Sequence, residues 1–273
     1  MEYFQKNKTI PIVFSCSNQF IKILAVAVES IAENSSPDYY YDIFVLYNSK
    51  HFFDLSQGDR LYDLLKDNMH LSFIDVNEIA ERVQFFSYAH VSEESCYRLL
   101  IPDVIKTYDK VIYLDCDLVV LRDLRELYEI DVTDYVFAAA REELNIHQKE
   151  YVNKNLQIPW EQYVNAGVML INMEKYRACD LLKQYTAVIM AKKRYRYIEQ
   201  DILNKVCNDQ ILYLDSTWNI RWYLPNERIN TMSIIHYASR VKPWSTQGIP
   251  FENFFWRYAV NTPFHIELLE GIQ

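Results

Sequence analysis

The chain has 273 residues, half of them hydrophobic and 24% charged, which is enough apolar material for a packed core and excludes a disordered chain. Its formal net charge of −9 argues against a nucleic-acid partner, and a phosphorylated ligand would need a cation or local Lys/Arg to be held. The four glycines are too dispersed for either a G-x-G-x-x-G turn or a G-x-x-x-x-G-K-[ST] loop, and the five cysteines, odd in number and without C-x-x-C, fit a reducing compartment better than a disulfide scaffold or zinc ribbon. In chain order, residues 10–15 (IPIVFS) read as a buried strand, a better fit than the signal peptide that residues 9–16 faintly mimic after two lysines. Phe20, Ile23, Leu24, Ala27, Val28 and Ile31 then recur at helical spacing. Residues 42–47 (DIFVLY) form a second strand, Leu61, Leu64 and Leu65 mark a second helix, and residues 71–74 a third strand. Residues 95–105 are expected as a helix and 110–114 (KVIYL) as a fourth strand. Strand and helix in alternation predict an α/β fold with a Rossmann-like, mainly parallel sheet flanked by helices.

The second half is less regular. Residues 135–140 and 164–172 read as strands, 181–191 and 200–206 as helices, and 211–214 and 233–237 as short strands. No repeat or Pro/Gly/Ser linker divides the chain, so a single domain over residues 1–250 is expected. The aromatic tail, 251–258 (FENFFWRY), reads as a terminal helix docked on that domain, with a peripheral membrane or partner contact as the other reading. No apolar run reaches 18 residues, so no transmembrane helix is expected.

Four groups of residues carry chemistry. Asp115-Cys116-Asp117 directly follows the KVIYL strand. Carboxylates at i and i+2 beyond the carboxyl end of a parallel strand face the crevice where α/β sheets bind ligands, and they repel unless a cation lies between them. They are either a solvated surface turn or a site for a hard divalent ion, and the hydrophobic strand that launches them favours the ion. His236 ends the apolar run SIIH, and Lys242 follows six residues later; the imidazole is either a ligand for an Mn2+-type ion or a satisfied structural histidine. Gly167, inside NAGVMLIN, marks either a bulge or a close approach of a ligand or backbone. Glu199-Gln200-Asp201 opens a helix, where acids also serve as ordinary N-terminal charge partners.

Taken together, VFSCSNQFIKILAVAVESI, SCYRLLIPDVI, DKVIYLDCDLVV, NAGVMLIN, EQDILN and HYASRVKPW, in this order, resemble the retaining glycosyltransferases of family 8, a group that includes bacterial lipopolysaccharide galactosyl- and glucosyltransferases, glycogenin and galactinol synthase. The resemblance runs from about Ile10 to Trp244. It implies a GT-A fold and transfer of galactose or glucose from UDP-galactose or UDP-glucose, with retention and with Mn2+ (Mg2+ as the alternative ion), to a saccharide or glycolipid acceptor in cell-surface glycan synthesis. It further implies a cytoplasmic protein, peripheral at the inner face of the membrane. By the same resemblance Asp115, Asp117 and His236 ligate the metal and Lys242 touches the diphosphate. Ser17, Asn18 and Gln19 face the uridine, and Arg98 and His90 line the donor site. Asn165 and Glu142 contact the sugars, and Glu199 and Gln200 lie beside the anomeric carbon. The chain departs from the family pattern at Ser17, where many relatives carry an acid, at Gln19, where they carry Asn, and at Ser239, where they carry glycine. A noncatalytic nucleotide-sugar-binding module and a D-x-D phosphatase are the competing readings; the phosphatase has no place for NAGVMLIN.

Overall fold

A computed structural model describes residues 8–83, 85, 92–191, 195–221 and 231–271. Its frame is a seven-stranded sheet made of β1 (Thr9–Ser15), β2 (Tyr40–Tyr47), β3 (Met69–Asp75), β4 (Lys110–Leu114), β6 (Phe137–Ala140), β7 (Val168–Asn172) and β8 (Ile211–Leu214). The order is β3-β2-β1-β4-β7-β6-β8. Every neighbouring pair is parallel except those that β7 makes with β4 and β6.

The centre of the sheet, β1, β4 and β7, is buried on both faces, and the period of two along these strands shows it. Ile10, Ile12 and Phe14 of β1 enter one core with Ile112 and Leu114 of β4 and Val168 and Leu170 of β7. Val13, Val111, Tyr113, Met169 and Ile171 enter the other. This is why these strands read as unbroken apolar runs with no alternation. The helix Ile21–Asn34 covers the first face, and the second is covered by the segment around Tyr97–Leu100 and by the helix Ile198–Val206.

The expected helix over 95–105 is broken into Glu93–Cys96, a 3-10 turn Tyr97–Leu100, and Ile101–Val104. Pro102 is the cause: it has no N–H to offer the Arg98 carbonyl four residues back. The Tyr176 hydroxyl donates to that carbonyl instead, at 3.2 Å. The expected strand over 164–172 begins only at Val168; Val164 makes a single bridge to Arg141, and Asn165 to Gly167 form a turn. The helix expected at Leu61–Leu65 is a short helix, Leu55–Asp59, followed by a 3-10 turn, Arg60–Leu64.

A second sheet consists of β5 (Leu118–Val120), β9 (Ile220–Arg221) and β10 (Ile234–His236), in the order β5-β10-β9; β10 is the strand expected at 233–237, while β5 and β9 were not expected. β10 runs antiparallel to β5, pairing His236 with Leu118. The helix Glu252–Ala259, followed by a last short helix His265–Glu270, buries Phe255 and Tyr258, the Phe255 ring lying 5.2 Å from Trp244 and 5.9 Å from Tyr237. Asn34 ties this helix to the body, donating to Tyr258 Oη at 3.0 Å and to the Val120 carbonyl at 3.1 Å.

Candidate metal and substrate site

β1 and β4 are neighbours whose onward connections diverge, β1 leading to β2 and β4 lying toward β7. Ligands in open α/β sheets bind at the carboxyl ends of such a pair. Asp115 leaves β4 there, anchored by its N–H to the Gly167 carbonyl at 2.8 Å. Three residues on, β5 begins, and its antiparallel register with β10 lays Asp117 beside His236; the Tyr237 N–H donates to the Asp117 carbonyl at 2.8 Å. His236 Nε2 is 3.1 Å from Asp117 Oδ1 and 3.7 Å from Asp115 Oδ2. One ligand atom from each of Asp115, Asp117 and His236 lies within 4.8 Å of the others. Two carboxylates and one imidazole, converging from two sheets, form a mixed O,O,N set that fits a divalent ion of the Mn2+ type.

Gly167 is the close approach the sequence left open. A Cβ there would lie 2.2 Å from His236 Cε1 and 2.7 Å from Asp115 Oδ2. Lys242 Nζ bonds Asp117 Oδ2 and also the Tyr237 carbonyl at 2.6 Å, so the lysine reaches the same carboxylate that faces the histidine. Burial pushes the Asp117 carboxyl up, but the Lys242 ammonium and then His236 outweigh it and hold it well below the usual carboxylate range.

Arg98 is 3% exposed, and its guanidinium is taken up by the protein. It donates to the Ser95 carbonyl at 2.8 Å, to the Ala166 carbonyl, and to Asp115 Oδ1 at 2.8 Å, while stacking 4.7 Å from the Tyr113 ring. The Tyr113 hydroxyl donates to the same Asp115 oxygen at 2.8 Å. One oxygen of Asp115 is thus fixed, and the other is left toward His236.

Glu199, Gln200 and Asp201 are 6%, 9% and 0% exposed, so they are not the solvated first-turn charges that ordinary helix capping would give. Gln200 accepts from the Ala166 N–H at 3.0 Å and donates to the Tyr163 hydroxyl at 3.1 Å. Asp201 accepts from the hydroxyls of Tyr151 and Tyr163, both at 2.6 Å. Glu199 differs: Oε1 is 4.0 Å from Arg98, and Oε2 is buried with no hydrogen-bond partner. Burial pushes its pKa up, partly countered by Arg98.

Asn165 and Glu142 are joined, Nδ2 to Oε2 at 2.7 Å, and Arg221 pairs with the same Glu142 oxygen. Asn18 Oδ1 accepts from the Asp54 N–H at 2.7 Å, holding the loop after β2 against the loop after β1. Ser17 and Gln19 flank it, half-buried and exposed. The Ser239 hydroxyl closes a local turn with Val241, just before Lys242. His90 lies outside the described residues. Sequence reasoning passed over Asn219 and Arg221, which adjoin His236 and Glu142, and Asn204, whose side chain holds both the N–H and the carbonyl of Val164.

A profile of "Glycosyl transferase family 8" matches residues 11–248. General stress protein A of Bacillus subtilis (strain 168) is 27% identical over 195 residues, spanning 64% of this chain and 67% of that protein. Lipopolysaccharide 1,3-galactosyltransferase of Salmonella typhimurium is 28% identical over 195 residues, spanning 64% of this chain and 57% of that one. The chain therefore accounts for about two thirds or less of the length of these curated relatives. Among solved structures, the apo bifunctional glycosyltransferase WbbM superposes with a TM-score of 0.83 at 26% identity, over all of this chain and 53% of that one. The galactosyltransferase LgtC, solved with donor and acceptor sugar analogues, superposes with a TM-score of 0.77 at 23% identity, over 93% of this chain and 96% of that one. The fold is that of the GT-A glycosyltransferases. With the profile spanning nearly the whole sheet and the Asp115/Asp117/His236 group, the chain belongs to glycosyl transferase family 8.

Proposed function

We propose that this glycosyltransferase moves a hexose, galactose or glucose, from UDP-galactose or UDP-glucose to a saccharide or glycolipid acceptor, with retention of configuration and with Mn2+. The observation that carries the reading is the convergence of Asp115, Asp117 and His236 at the carboxyl end of β4. The names of two relatives, the Salmonella 1,3-galactosyltransferase and the Escherichia coli lipopolysaccharide 1,2-glucosyltransferase, support a hexose and a role in cell-surface glycan synthesis. Among the described residues no helix is long and apolar enough to cross a membrane. We take residues 1–250 as the catalytic unit, with 251–273 as its aromatic C-terminal segment, acting in the cytoplasm and peripherally at the inner face of the membrane.

Asp115, Asp117 and His236 would hold Mn2+, which when bound would supply charge neutralisation for the donor diphosphate and for the charge that grows on departing UDP. The chain's own residues do the rest. Lys242 brings a point charge to the same diphosphate. Arg98 and Tyr113 keep one Asp115 oxygen occupied, so its other oxygen faces the site. Ser17, Asn18 and Gln19 border the uridine, with His90 and Arg98 on the donor-sugar side. Glu142 Oε1, buried and without a hydrogen-bond partner, is an acceptor for a sugar hydroxyl, and Asn165 lies beside it. Gln200 is held at both ends by Ala166 and Tyr163, so it is a poor nucleophile; Glu199, with an unpartnered oxygen, stabilises positive charge at the anomeric centre. The acceptor hydroxyl then attacks from the face that UDP leaves, giving its proton to the departing diphosphate as the anomeric C–O bond to UDP breaks.

A panel of UDP-sugars, read by UDP release with Mn2+ or with chelator, tests the reading. It predicts Mn2+-dependent release from UDP-galactose or UDP-glucose. No release from any UDP-hexose, at high enzyme and with Mn2+ present, would overturn it.

A further inference from the structure

His236 serves as a ligand only if the nitrogen facing Asp115 and Asp117 keeps its lone pair. The proton positions around the ring follow from one donor of fixed identity, the peptide N–H of Gly167. It donates to Asn165 Oδ1 at 2.9 Å, and a peptide N–H cannot accept, so the oxygen end of the Asn165 amide faces it. The nitrogen end then donates to Glu142 Oε2 at 2.7 Å. Asn165 Oδ1 also meets the Asn219 amide at 3.0 Å, and two amide oxygens would repel, so Asn219 presents Nδ2 there. That turns Asn219 Oδ1 to His236 Nδ1, 3.0 Å away. An amide oxygen can only accept, so Nδ1 carries a proton, and Nε2, 3.1 Å from Asp117 Oδ1 and 3.7 Å from Asp115 Oδ2, is the nitrogen left to give its lone pair to an ion. Glu142, Asn165, Asn219 and His236 are 9%, 8%, 7% and 2% exposed, which leaves little room for water to satisfy a reversed amide.

We infer that Asn219 is a positioning residue for the metal site: it accepts from His236 Nδ1 and so selects the tautomer whose Nε2 is a ligand, and the Gly167–Asn165 pair sets which way Asn219 points. This rests on the reading that Asp115, Asp117 and His236 hold Mn2+. The relay also places the Glu142–Arg221 pair two hydrogen-bonded side chains from His236, on the sugar side.

Two measurements test it. The first is the long-range proton–nitrogen spectrum of 15N-labelled wild-type protein without metal, at a pH where imidazole is neutral. His236 is expected with a proton on Nδ1; an Nδ1 without a proton overturns the inference. The second is Mn2+ binding followed by electron paramagnetic resonance, with saturating UDP, in Asn219→Leu and Asn219→Asp. Leucine removes the acceptor, and Mn2+ affinity is expected to fall about 10–100-fold, as for other orienting partners of ligand histidines. Aspartate keeps an oxygen for Nδ1, and affinity is expected to stay near that of wild type, even though both variants lose the bond to Asn165 and melt earlier. A merely structural role would move the two melting temperatures and leave both affinities alone, and wild-type Mn2+ affinity in Asn219→Leu overturns the inference. If that variant does not fold, the wild-type spectrum decides. A wild-type protein that shows the Nδ1 proton yet binds no Mn2+ with UDP overturns the metal reading itself, and with it this role.

Discussion

Replacing Gly167 with alanine tests the site through a residue that contributes no ligand. The added Cβ would meet His236 Cε1 at 2.2 Å, His236 Nδ1 at 2.9 Å and Asp115 Oδ2 at 2.7 Å. Non-bonded carbons prefer about 3.5–4.0 Å, so the histidine must retreat by roughly 1 Å or more. It has little freedom to do so: it is 2% exposed, sits in β10 between β5 and β9, and is bonded to Asn219. A metal–ligand distance tolerates only about 0.2 Å. The expected loss of Mn2+ affinity is therefore at least about 10–100-fold, the range for disturbing only a ligand's orienting partner. Overpacking should cost about 1–3 kcal/mol, a drop of several degrees in melting temperature. Calorimetric titration of UDP with Mn2+ present reads the first effect and thermal unfolding the second. A Gly167→Ala protein that melts earlier but binds Mn2+ and UDP as wild type would refute the argument that this glycine makes room for the metal ligands.

Three further substitutions separate the roles of neighbouring groups. Asp117→Ala should abolish turnover and Mn2+-dependent UDP binding while the protein still unfolds cooperatively; unchanged UDP affinity with Mn2+ would remove Asp117 from the metal set. Lys242→Ala should weaken UDP-sugar binding by roughly 10- to 1,000-fold, the range for truncating one hydrogen-bonded charge at about 2–4 kcal/mol, and wild-type KM and kcat would remove it from the site. Glu199→Gln should lower kcat by about 100-fold or more with UDP binding nearly unchanged, a loss confined to the transition state. The same variant has a stability signature. Burial raises the Glu199 pKa in the folded protein above its ordinary 4.5, so ionising it costs stability as pH rises past the unfolded-state value. Glu199→Gln should therefore gain on wild type in unfolding experiments as pH climbs from the acid side of that value, and a gain that appears only on acidification would contradict the assignment.

Much of the frame was legible because the central strands of the main sheet are buried on both faces. That gives β1 and β4 continuous apolar runs; the helix Ile21–Asn34 showed Ile23, Leu24, Ala27, Val28 and Ile31 at helical spacing, although Ala25 and Val26 between them are buried too. Asp115 and Asp117 stood out because a buried strand delivers them to its carboxyl end. The pairing of Asp117 with His236 came through the family resemblance and not from the pattern: 233–237 read as a strand, but β5, three residues long, gave no sign of itself, and the register of β5 with β10 is what sets the pair. Pro102 was visible, but its effect on the 95–105 segment depends on Tyr176, far along the chain, filling the vacated bond. The burial and partners of Gln200 and Asp201 could not be read, because Tyr163 and Ala166 arrive from the loop before β7. Asn219 gave no signal, since its meaning lies in the amide orientation imposed by Asn165 and Gly167.

The central claim is that Asp115, Asp117 and His236 hold a divalent ion that in turn holds a nucleoside diphosphate. Calorimetric titration of UDP into the wild-type protein, once with Mn2+ and once with excess chelator, tests it most directly. The account predicts saturable binding with Mn2+ and its loss, or a large weakening, with chelator. Equal UDP affinity under the two conditions would contradict it.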